Sequence, residues 1–229
     1  MRHRASTLML GMMLPAGCAS VPFVAVPTPL LHDPDPAAMR SAWSAHLPTR
    51  FTTEDTVVIE FPGDSLALLG FLRVDRAAGT FEVQGMNHLG GRAFLISGSP
   101  RKTEVLFAVS PLAEQPKVLQ SIAQDIRRLY FDLVPDQAAQ VRVGARSVRY
   151  TEDRPDGTIE FVLGGANGVL LEKRLTRGIG PVWRVKFYEY TPSVEGVFPR
   201  GMVLDNARYH YRVVVKNRSL WIEEDGGGR

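Results

Sequence analysis

Ser65 is the first candidate for covalent chemistry in this 229-residue sequence. It lies in Gly63-Asp64-Ser65-Leu66, directly after a strand-like run that ends at Phe61. A serine at a sharp turn can act as a nucleophile when a base removes its proton and nearby donors stabilise the oxyanion. The hypothesis of an esterase site therefore depends on whether a base accompanies the serine.

The four letters resemble the nucleophile block of the GDSL-type lipases and esterases. In that family an Asp-x-x-His pair near the C-terminus supplies the base, and a Gly-x-Asn-Asp block supplies an oxyanion donor. The sequence contains neither block, and its nearest approach is Asp205 and His210, five residues apart. Pro62-Gly63 followed by Asp64-Ser65 is also a good turn between two strands. We therefore predict a turn here, and a protein that is not an enzyme.

The other residues that could bind metals or phosphates show no useful spacing. The five histidines are His3, His32, His46, His88 and His210. None of them is paired at a ligand spacing, and the only cysteine is Cys18, at the far N-terminal end. The glycines lack the strand, glycine loop and helix order of a phosphate-binding loop. We predict no metal site and no cofactor.

The N-terminus has the layout of a secretory signal. A basic start, Met1 to Arg4, precedes an apolar run from Ala5 to Gly17 that is too short for a membrane span of about 20 residues. The segment Leu14-Pro15-Ala16-Gly17-Cys18 resembles the lipobox of bacterial lipoproteins, with proline at position 15 where leucine is usual. The resemblance implies that residues 1–17 are a lipoprotein signal peptide and that Cys18 is lipidated, as with palmitate. Ordinary signal cleavage is the alternative.

The resemblance to lipoproteins also implies a location. Ala19 and Ser20 follow the cysteine without an acidic residue, which in that class is typical of outer membrane lipoproteins facing the periplasm. The formal net charge of +3 falls to +1 once Arg2 and Arg4 leave with the signal. So small a charge argues against nucleic acid as a partner. We expect a monomer whose partners are the membrane, through its lipid anchor, and a hydrophobic ligand or lipoprotein.

Two segments precede the main body of the chain. Residues 18–35 hold four prolines and predict an extended, Pro-rich tether. Asp35-Pro36 is typical of a helix N-cap followed by proline in the first turn, and it predicts a helix that continues to Leu47 and stops at Pro48.

Short runs of alternating apolar residues dominate the rest of the chain, and each ends at or near Gly, Pro, Asn or Asp. This pattern predicts about eleven antiparallel strands. One helical stripe, over residues 115–133, interrupts them with apolar residues at every third or fourth position. So many strands curl strongly. We therefore predict a mainly antiparallel β-fold with some α-helix, in which the helix covers the apolar face of a curved sheet.

Three stretches resemble a family of uncharacterised bacterial lipoproteins associated with aryl polyene clusters. The stretches are MNHLGGRAFLISG from Met86, VLQSIAQDIRRLYFDLVP from Val118 and FPRGMVLDNARYHYRVVVKN from Phe198. That family is thought to share the fold of the lipoprotein carriers LolA and LolB, a strongly curved, incomplete β-barrel of about eleven strands with a helical lid. The resemblance implies one LolA/LolB-like domain over residues 36–225.

In LolB-like proteins the cavity holds acyl chains. A cavity of that kind here would be walled by Phe61, Leu68, Leu72, Phe81, Phe94, Phe107, Ile122, Ile126, Phe161, Trp183 and Phe187. The expected function is a membrane-anchored carrier or chaperone that binds acyl chains of lipid or lipoprotein, or a polyene-type product. A non-enzymatic scaffold lipoprotein with a packed core is the alternative, and an enzyme acting on lipid-linked intermediates is the third hypothesis.

Overall fold

One antiparallel sheet contains every strand of the described chain. The computed structural model describes residues 21–110, 112–193 and 196–223. The strands are β1 (Arg50–Phe61), β2 (Asp64–Asp75), β3 (Thr80–Met86), β4 (Arg92–Gly98), β5 (Thr103–Ala108), β6 (Gln140–Val143), β7 (Ser147–Arg154), β8 (Gly157–Gly164), β9 (Val169–Arg177), β10 (Gly180–Ser193), β11 (Gly196–Asn206) and β12 (Tyr211–Ile222). The predicted fold class is confirmed, and the sheet has twelve strands where about eleven were expected.

The order of the strands is that of a simple meander. It runs β5-β4-β3-β2-β1-β12-β11-β10-β9-β8-β7-β6, so that β5 and β6 form the two edges and β1 pairs with β12 in the middle. The chain crosses from one edge to the other through α2 (Pro116–Tyr130). The only other α-helix of the described residues is α1 (Pro36–Ala45), which precedes the first strand.

The strands bend because their pairing is interrupted. The register shifts in five neighbouring pairs, which are β1–β12, β3–β4, β4–β5, β8–β9 and β9–β10. Bulges of this kind bend a strand and increase its twist. The inner face of the curved sheet carries one continuous apolar cluster, to which both helices contribute. The sheet remains open, as predicted for an incomplete barrel.

Helix α1 fills the end of the inner face where β1 begins and β12 ends. Asp35 caps it by accepting hydrogen bonds from the backbone N–H groups of Ala37 and Ala38, as its sequence predicts. The helix buries Trp43, whose Nε1 donates to the carbonyl of Leu133 at 2.7 Å. The Trp43 ring meets Tyr190 edge-on, with centroids 5.8 Å apart. This end of the molecule is closed by tightly packed aromatic rings.

Helix α2 covers the opposite end, where β1 ends and β12 begins. Proline at its first turn suits a helix start, and the apolar stripe faces inward, where Leu119, Ala123 and Leu129 are buried. The helix ends at Tyr130, three residues before the predicted end. Phe131 is extended, and Asp132 has a φ of 48°. The backbone therefore leaves the helical conformation before Pro135 can stop it.

Residues 21–35 lie outside any helix or strand, and they pack against the sheet. The ring of Phe23 lies 5.6 Å from that of Tyr188, on the outer face of β10. The backbone N–H of Val24 donates to Glu189 at 2.7 Å, and Arg146 donates to the carbonyl of Thr28 at 2.6 Å. The part of the predicted tether that the structure describes is therefore a strap held on the protein surface.

No helix in the described part of the chain has the length and hydropathy that a membrane crossing requires.

Candidate functional site

A small apolar cavity lies directly beneath α2. Its volume is ≈70 Å³. The apolar lining residues are Val57, Ile59, Leu68, Leu72, Val83, Phe94, Ile122, Ile126, Leu129, Val213 and Val215. Strands β1 to β4 and β12 supply the floor, because alternate residues of each strand point to the inner face. We call this space the inner cavity.

A wider, open groove continues from the inner cavity to the surface. Its volume is ≈420 Å³, and its mouth is lined by Phe61, Val118, Tyr209 and Tyr211. Ile59, Ile122 and Val213 line both spaces, so they are contiguous. We call the larger space the apolar groove. Asp125 also lines both, so a carboxylate stands where the two spaces adjoin.

Phe94 is fixed in the wall of the inner cavity by a glycine on the neighbouring strand. Gly85 pairs directly with Phe94, and a Cβ atom at residue 85 would collide with the Phe94 ring. The ring therefore lies across the bare backbone of β3. An aromatic ring over a glycine of the adjacent strand gains packing that the glycine alone cannot give.

A polar network ties α2 to the sheet beside the groove. Asp125 of α2 is buried, and its carboxylate accepts from the Tyr211 hydroxyl at 2.6 Å and from Arg128 at 2.6 Å. Asn206 in turn donates to the Tyr211 hydroxyl at 2.9 Å. We call Asp125, Arg128, Tyr211 and Asn206 the latch. Burial raises the pKa of the Asp125 carboxyl, while the hydrogen bond from Tyr211 and the charge of Arg128 act in the opposite direction.

A second buried carboxylate lies deeper, where α2 ends. Asp55 accepts hydrogen bonds from the Thr53 hydroxyl at 2.6 Å, the Tyr130 hydroxyl at 3.0 Å and the Asn217 amide at 3.0 Å. Burial raises the pKa of Asp55 despite these three donors. The carboxylate joins the last residue of α2 to β1 and β12. Together with Gln84, Asp125 and Tyr130, it gives the largely apolar inner cavity a polar part of its lining.

The structure distributes the predicted cavity-wall residues among several environments. Leu68, Leu72, Phe94, Ile122 and Ile126 line the inner cavity, and Phe61 lines the mouth of the groove. The others lie away from both spaces. Phe81, Phe161, Trp183 and Phe187 are buried in the core, and Phe107 is exposed on edge strand β5. Six of the eleven predicted residues therefore line the inner cavity or the apolar groove.

The remaining candidates occupy turns or lie outside the described residues. Ser65 stands at the exposed start of β2, and its backbone N–H donates to the Asp64 carboxylate at 2.7 Å, as in a tight turn. His210 lies between β11 and β12 with a φ of 54°. The proposed lipidation site, Cys18, and the predicted signal peptide lie outside the described residues.

Neither the latch nor the buried Asp55 is among the residues predicted from the sequence. Both carboxylates interrupt an apolar periodicity, which is a signal that the sequence carries. Asp55 falls between Thr53 and Val57 on the inward phase of β1, and Asp125 lies three residues after Ile122 on the apolar stripe of α2. A charged residue in such a position is rarely buried without a partner. The partners Tyr130 and Tyr211 come from distant segments.

Comparison with known proteins reveals a shared fold and no sequence relationship. No protein-family model matches the sequence, and no curated protein matches it significantly. A LolA superfamily protein from Nitrosomonas europaea superposes with a TM-score of 0.55 at 7% identity, covering 82% of this chain and 93% of that one. The chain thus has a LolA-like fold.

Two other solved structures superpose less closely. A DUF1329 family protein from Desulfovibrio piger gives a TM-score of 0.49 at 13% identity, over 86% of this chain and 96% of that one. A putative outer membrane lipoprotein-sorting protein domain from Vibrio parahaemolyticus gives 0.48 at 8% identity, over 82% and 91%.

Proposed function

We propose that this protein is a carrier or chaperone that binds a hydrophobic chain non-covalently between α2 and the sheet. The ligand is an acyl chain of a lipid or lipoprotein, or a polyene-type product. The observation that carries the proposal is that the apolar groove adjoins the inner cavity, with Ile59, Ile122 and Val213 lining both spaces. The LolA-like fold supports it, and the protein acts without catalysis.

Binding requires α2 to move. The inner cavity of ≈70 Å³ is smaller than the roughly 150 Å³ of an engineered apolar cavity that admits benzene. Ile122 and Ile126 are only partly buried, so this part of the helix is less firmly packed than the strands beneath it. Each Å² of apolar surface that a chain buries would contribute about 25 cal/mol. In this proposal α2 is a lid, and the latch holds it closed.

The N-terminus gives the carrier its place in the cell envelope. In the proposal, residues 1–17 direct export, acyl chains on Cys18 anchor the protein in the outer membrane facing the periplasm, and residues 36–225 form a single domain. The lipobox-like sequence before Cys18 supports this arrangement. One acyl chain alone gives only reversible membrane binding, so a stable anchor needs at least two. The protein is a monomer, and its relation to aryl polyene lipoproteins belongs to the same proposal.

Titration of the delipidated protein with a fluorescent fatty acid tests the proposal. We expect saturable binding that an unlabelled fatty acid displaces. Ile122→Asp should weaken binding at least tenfold, because it places a charge where the groove meets the cavity. Val141→Asp is the matched control, since Val141 is exposed on edge strand β6 and should leave binding unchanged.

Failure of the wild-type protein to bind any acyl probe would contradict the carrier. It would favour the second candidate, a scaffold lipoprotein with a packed interior. The specific observation in favour of the scaffold is the small volume of the inner cavity, ≈70 Å³. Mass spectrometry of the intact protein after signal processing would test the anchor separately. A mass without added acyl chains would exclude lipidation at Cys18.

A further inference from the structure

A second pocket lies on the other side of the latch from the apolar groove. Its volume is ≈350 Å³. Residues Trp183, Asn206 and Tyr211 stand side by side on β10, β11 and β12. Tyr211 lines the apolar groove, and Trp183 lines the second pocket, so Asn206 lies between the two. Gln124 of α2 lines both spaces.

This second pocket is rich in positive charge, and we call it the basic pocket. Its cationic lining residues are Arg127, Arg128, Arg154 and Lys173, against the carboxylates of Asp132 and Asp156. Arg128 and Arg154 are already paired, with Asp125 and Glu152 respectively. Asp132 also lies 3.5 Å from Arg154, so the cations of this pocket and the carboxylates around them balance in number. Arg127 and Lys173 are the two cations of this lining that form no salt bridge with a described residue.

Arg127 and Lys173 donate to carbonyl groups rather than to carboxylates. Arg127 donates to the carbonyls of Gly79 and Ser99. Lys173 is 2% exposed, and its Nζ donates to the carbonyl of Phe131 at 2.8 Å. An ammonium group has three donors, and burial disfavours its charge, an effect that the carboxylate of Asp132 offsets only in part. Burial accordingly lowers the pKa of Lys173 to about 7.

An aromatic ring completes the pocket. Trp183 is nearly buried, and its ring centroid lies 5.6 Å from Lys173 Nζ and 5.7 Å from the guanidinium carbon of Arg128. The ring therefore packs against both cations. An oxyanion that enters here would meet cationic donors, and hydrogen bonds between ionised groups are stronger than those between neutral groups.

We infer that the basic pocket binds the anionic head group, a carboxylate or a phosphate, of an amphiphile whose chain occupies the apolar groove. The inference rests on the proposed function and adds the class of ligand to it. The chain passes Gln124, which lines both spaces, while the head group takes Lys173 and Arg127. A neutral chain of the same length uses the groove alone.

Binding of matched acid and ester probes tests the head-group site. The delipidated wild-type protein is titrated with a fluorescent fatty acid and with its methyl ester. We expect the acid to bind about tenfold more tightly, the ordinary effect of one charged hydrogen-bond partner. Lys173→Met should remove this preference and leave the affinity for the ester unchanged. Lys173→Gln, which keeps a donor for the carbonyl of Phe131, should do the same.

Lys216→Met provides the control, because Lys216 is exposed on the outer face of β12. It should change neither affinity, and circular dichroism verifies that each variant is folded. Equal affinity of the wild type for acid and ester would overturn the inference and leave the proposed function standing. Absence of binding by either probe would instead overturn the proposed function.

Inorganic phosphate distinguishes a lipid head group from a free anion. Phosphate should compete weakly with the acid probe and not at all with the ester. If phosphate binds to the wild type and not to Lys173→Met, while acid and ester bind equally well, the basic pocket is a site for a free anion. That result would overturn the head-group inference.

Discussion

The two ends of the sheet's inner face are filled in different ways. At the α1 end, Trp43, Phe51 and Tyr150 are almost fully buried, and aromatic rings pack against one another edge to face. At the α2 end, an apolar groove and an inner cavity separate the helix from the strands, and Ile122 is only partly covered. The same strands thus support a closed core at one end and an accessible site at the other.

One sheet can thus stabilise the fold at one end and, in the proposed function, bind a ligand at the other. Hydrogen bonds in the α1 end join buried side chains to backbone carbonyls, as Tyr150 does with Pro36 at 2.7 Å. At the α2 end, the hydrogen bond from Tyr211 to Asp125 joins a half-buried hydroxyl to a buried carboxylate beside the apolar groove. Water can replace the second kind when a lid opens. We therefore expect changes at the α1 end to affect folding and changes at the α2 end to affect binding.

The largest effect should come from the α1 end. Trp43→Ala should lower the free energy of unfolding by about 3–5 kcal/mol, because it removes a fully buried ring and leaves a cavity. Ile122→Ala at the α2 end should cost about 1 kcal/mol, because that side chain already borders a cavity. Urea denaturation of both variants measures the difference. An equal loss of unfolding free energy in the two variants would show that the two ends of the inner face do not differ in packing.

The latch should give a smaller loss of stability with a gain in binding rate. Tyr211→Phe removes the hydroxyl between Asp125 and Asn206, and we expect it to cost about 2 kcal/mol. Because the lid is then held less firmly, a fluorescent fatty acid should associate faster in stopped-flow measurements. Tyr209→Phe is the control, since Tyr209 is exposed in the same groove. A slower association in Tyr211→Phe would contradict the role of α2 as a lid.

Lys173 should make stability depend on pH at the α2 end. Its pKa falls from 10.5 in the unfolded chain to about 7 in the folded protein, mainly by burial, with Asp132 opposing and Arg154, Arg76 and Arg128 reinforcing the shift. Between these values the unfolded chain binds more protons, so stability rises with pH. Compared with Lys173→Met, the wild type should gain stability between pH 7 and pH 10. If the Tm of both proteins changed with pH by the same amount between pH 7 and pH 10, this expectation would be contradicted.

The smallest effect should come from the strap, which belongs to neither end. Phe23→Ala should lower the free energy of unfolding by about 1 kcal/mol, because it removes a partly buried ring from the outer face. Hydrogen exchange should accelerate at Val24, whose N–H donates to Glu189. Fatty-acid binding should not change. A loss of binding in Phe23→Ala would show that the outer face communicates with the groove.

The sequence predicts the fold well because the fold depends on local patterns. Alternation of apolar residues reveals a sheet with one buried face, and the helical stripe over residues 115–133 reveals its cover. The end of α2 was predicted too late, since Leu133 continues the apolar spacing although Asp132 has a positive φ. Spacing alone does not report a backbone conformation that the surrounding packing imposes.

The site is harder to predict because its residues acquire their roles from distant partners. Lys173 lies on the inward phase of β9 with the buried Leu170 and Leu175, and it pairs in register with the buried Phe161. A lysine at this position departs from the apolar pattern. The neighbouring sequence does not indicate that Lys173 contacts the Trp183 ring and donates to the carbonyl of Phe131. Phe107 is the opposite case, because its spacing predicts burial and its side chain is exposed. It alternates like a core residue yet lies exposed on an edge strand.

The position of Phe23 limits how the molecule can be oriented at a bilayer. Phe23 is five positions after Cys18, and a fully extended chain spans at most about 18 Å over that length. With acyl chains on Cys18, as proposed, only a short segment connects the lipid anchor to Phe23, which lies beside Tyr188 on the outer face of the sheet. The outer face then points toward the lipid, and the apolar groove opens toward the aqueous side. Cargo would arrive from, or leave to, soluble partners rather than the protein's own membrane.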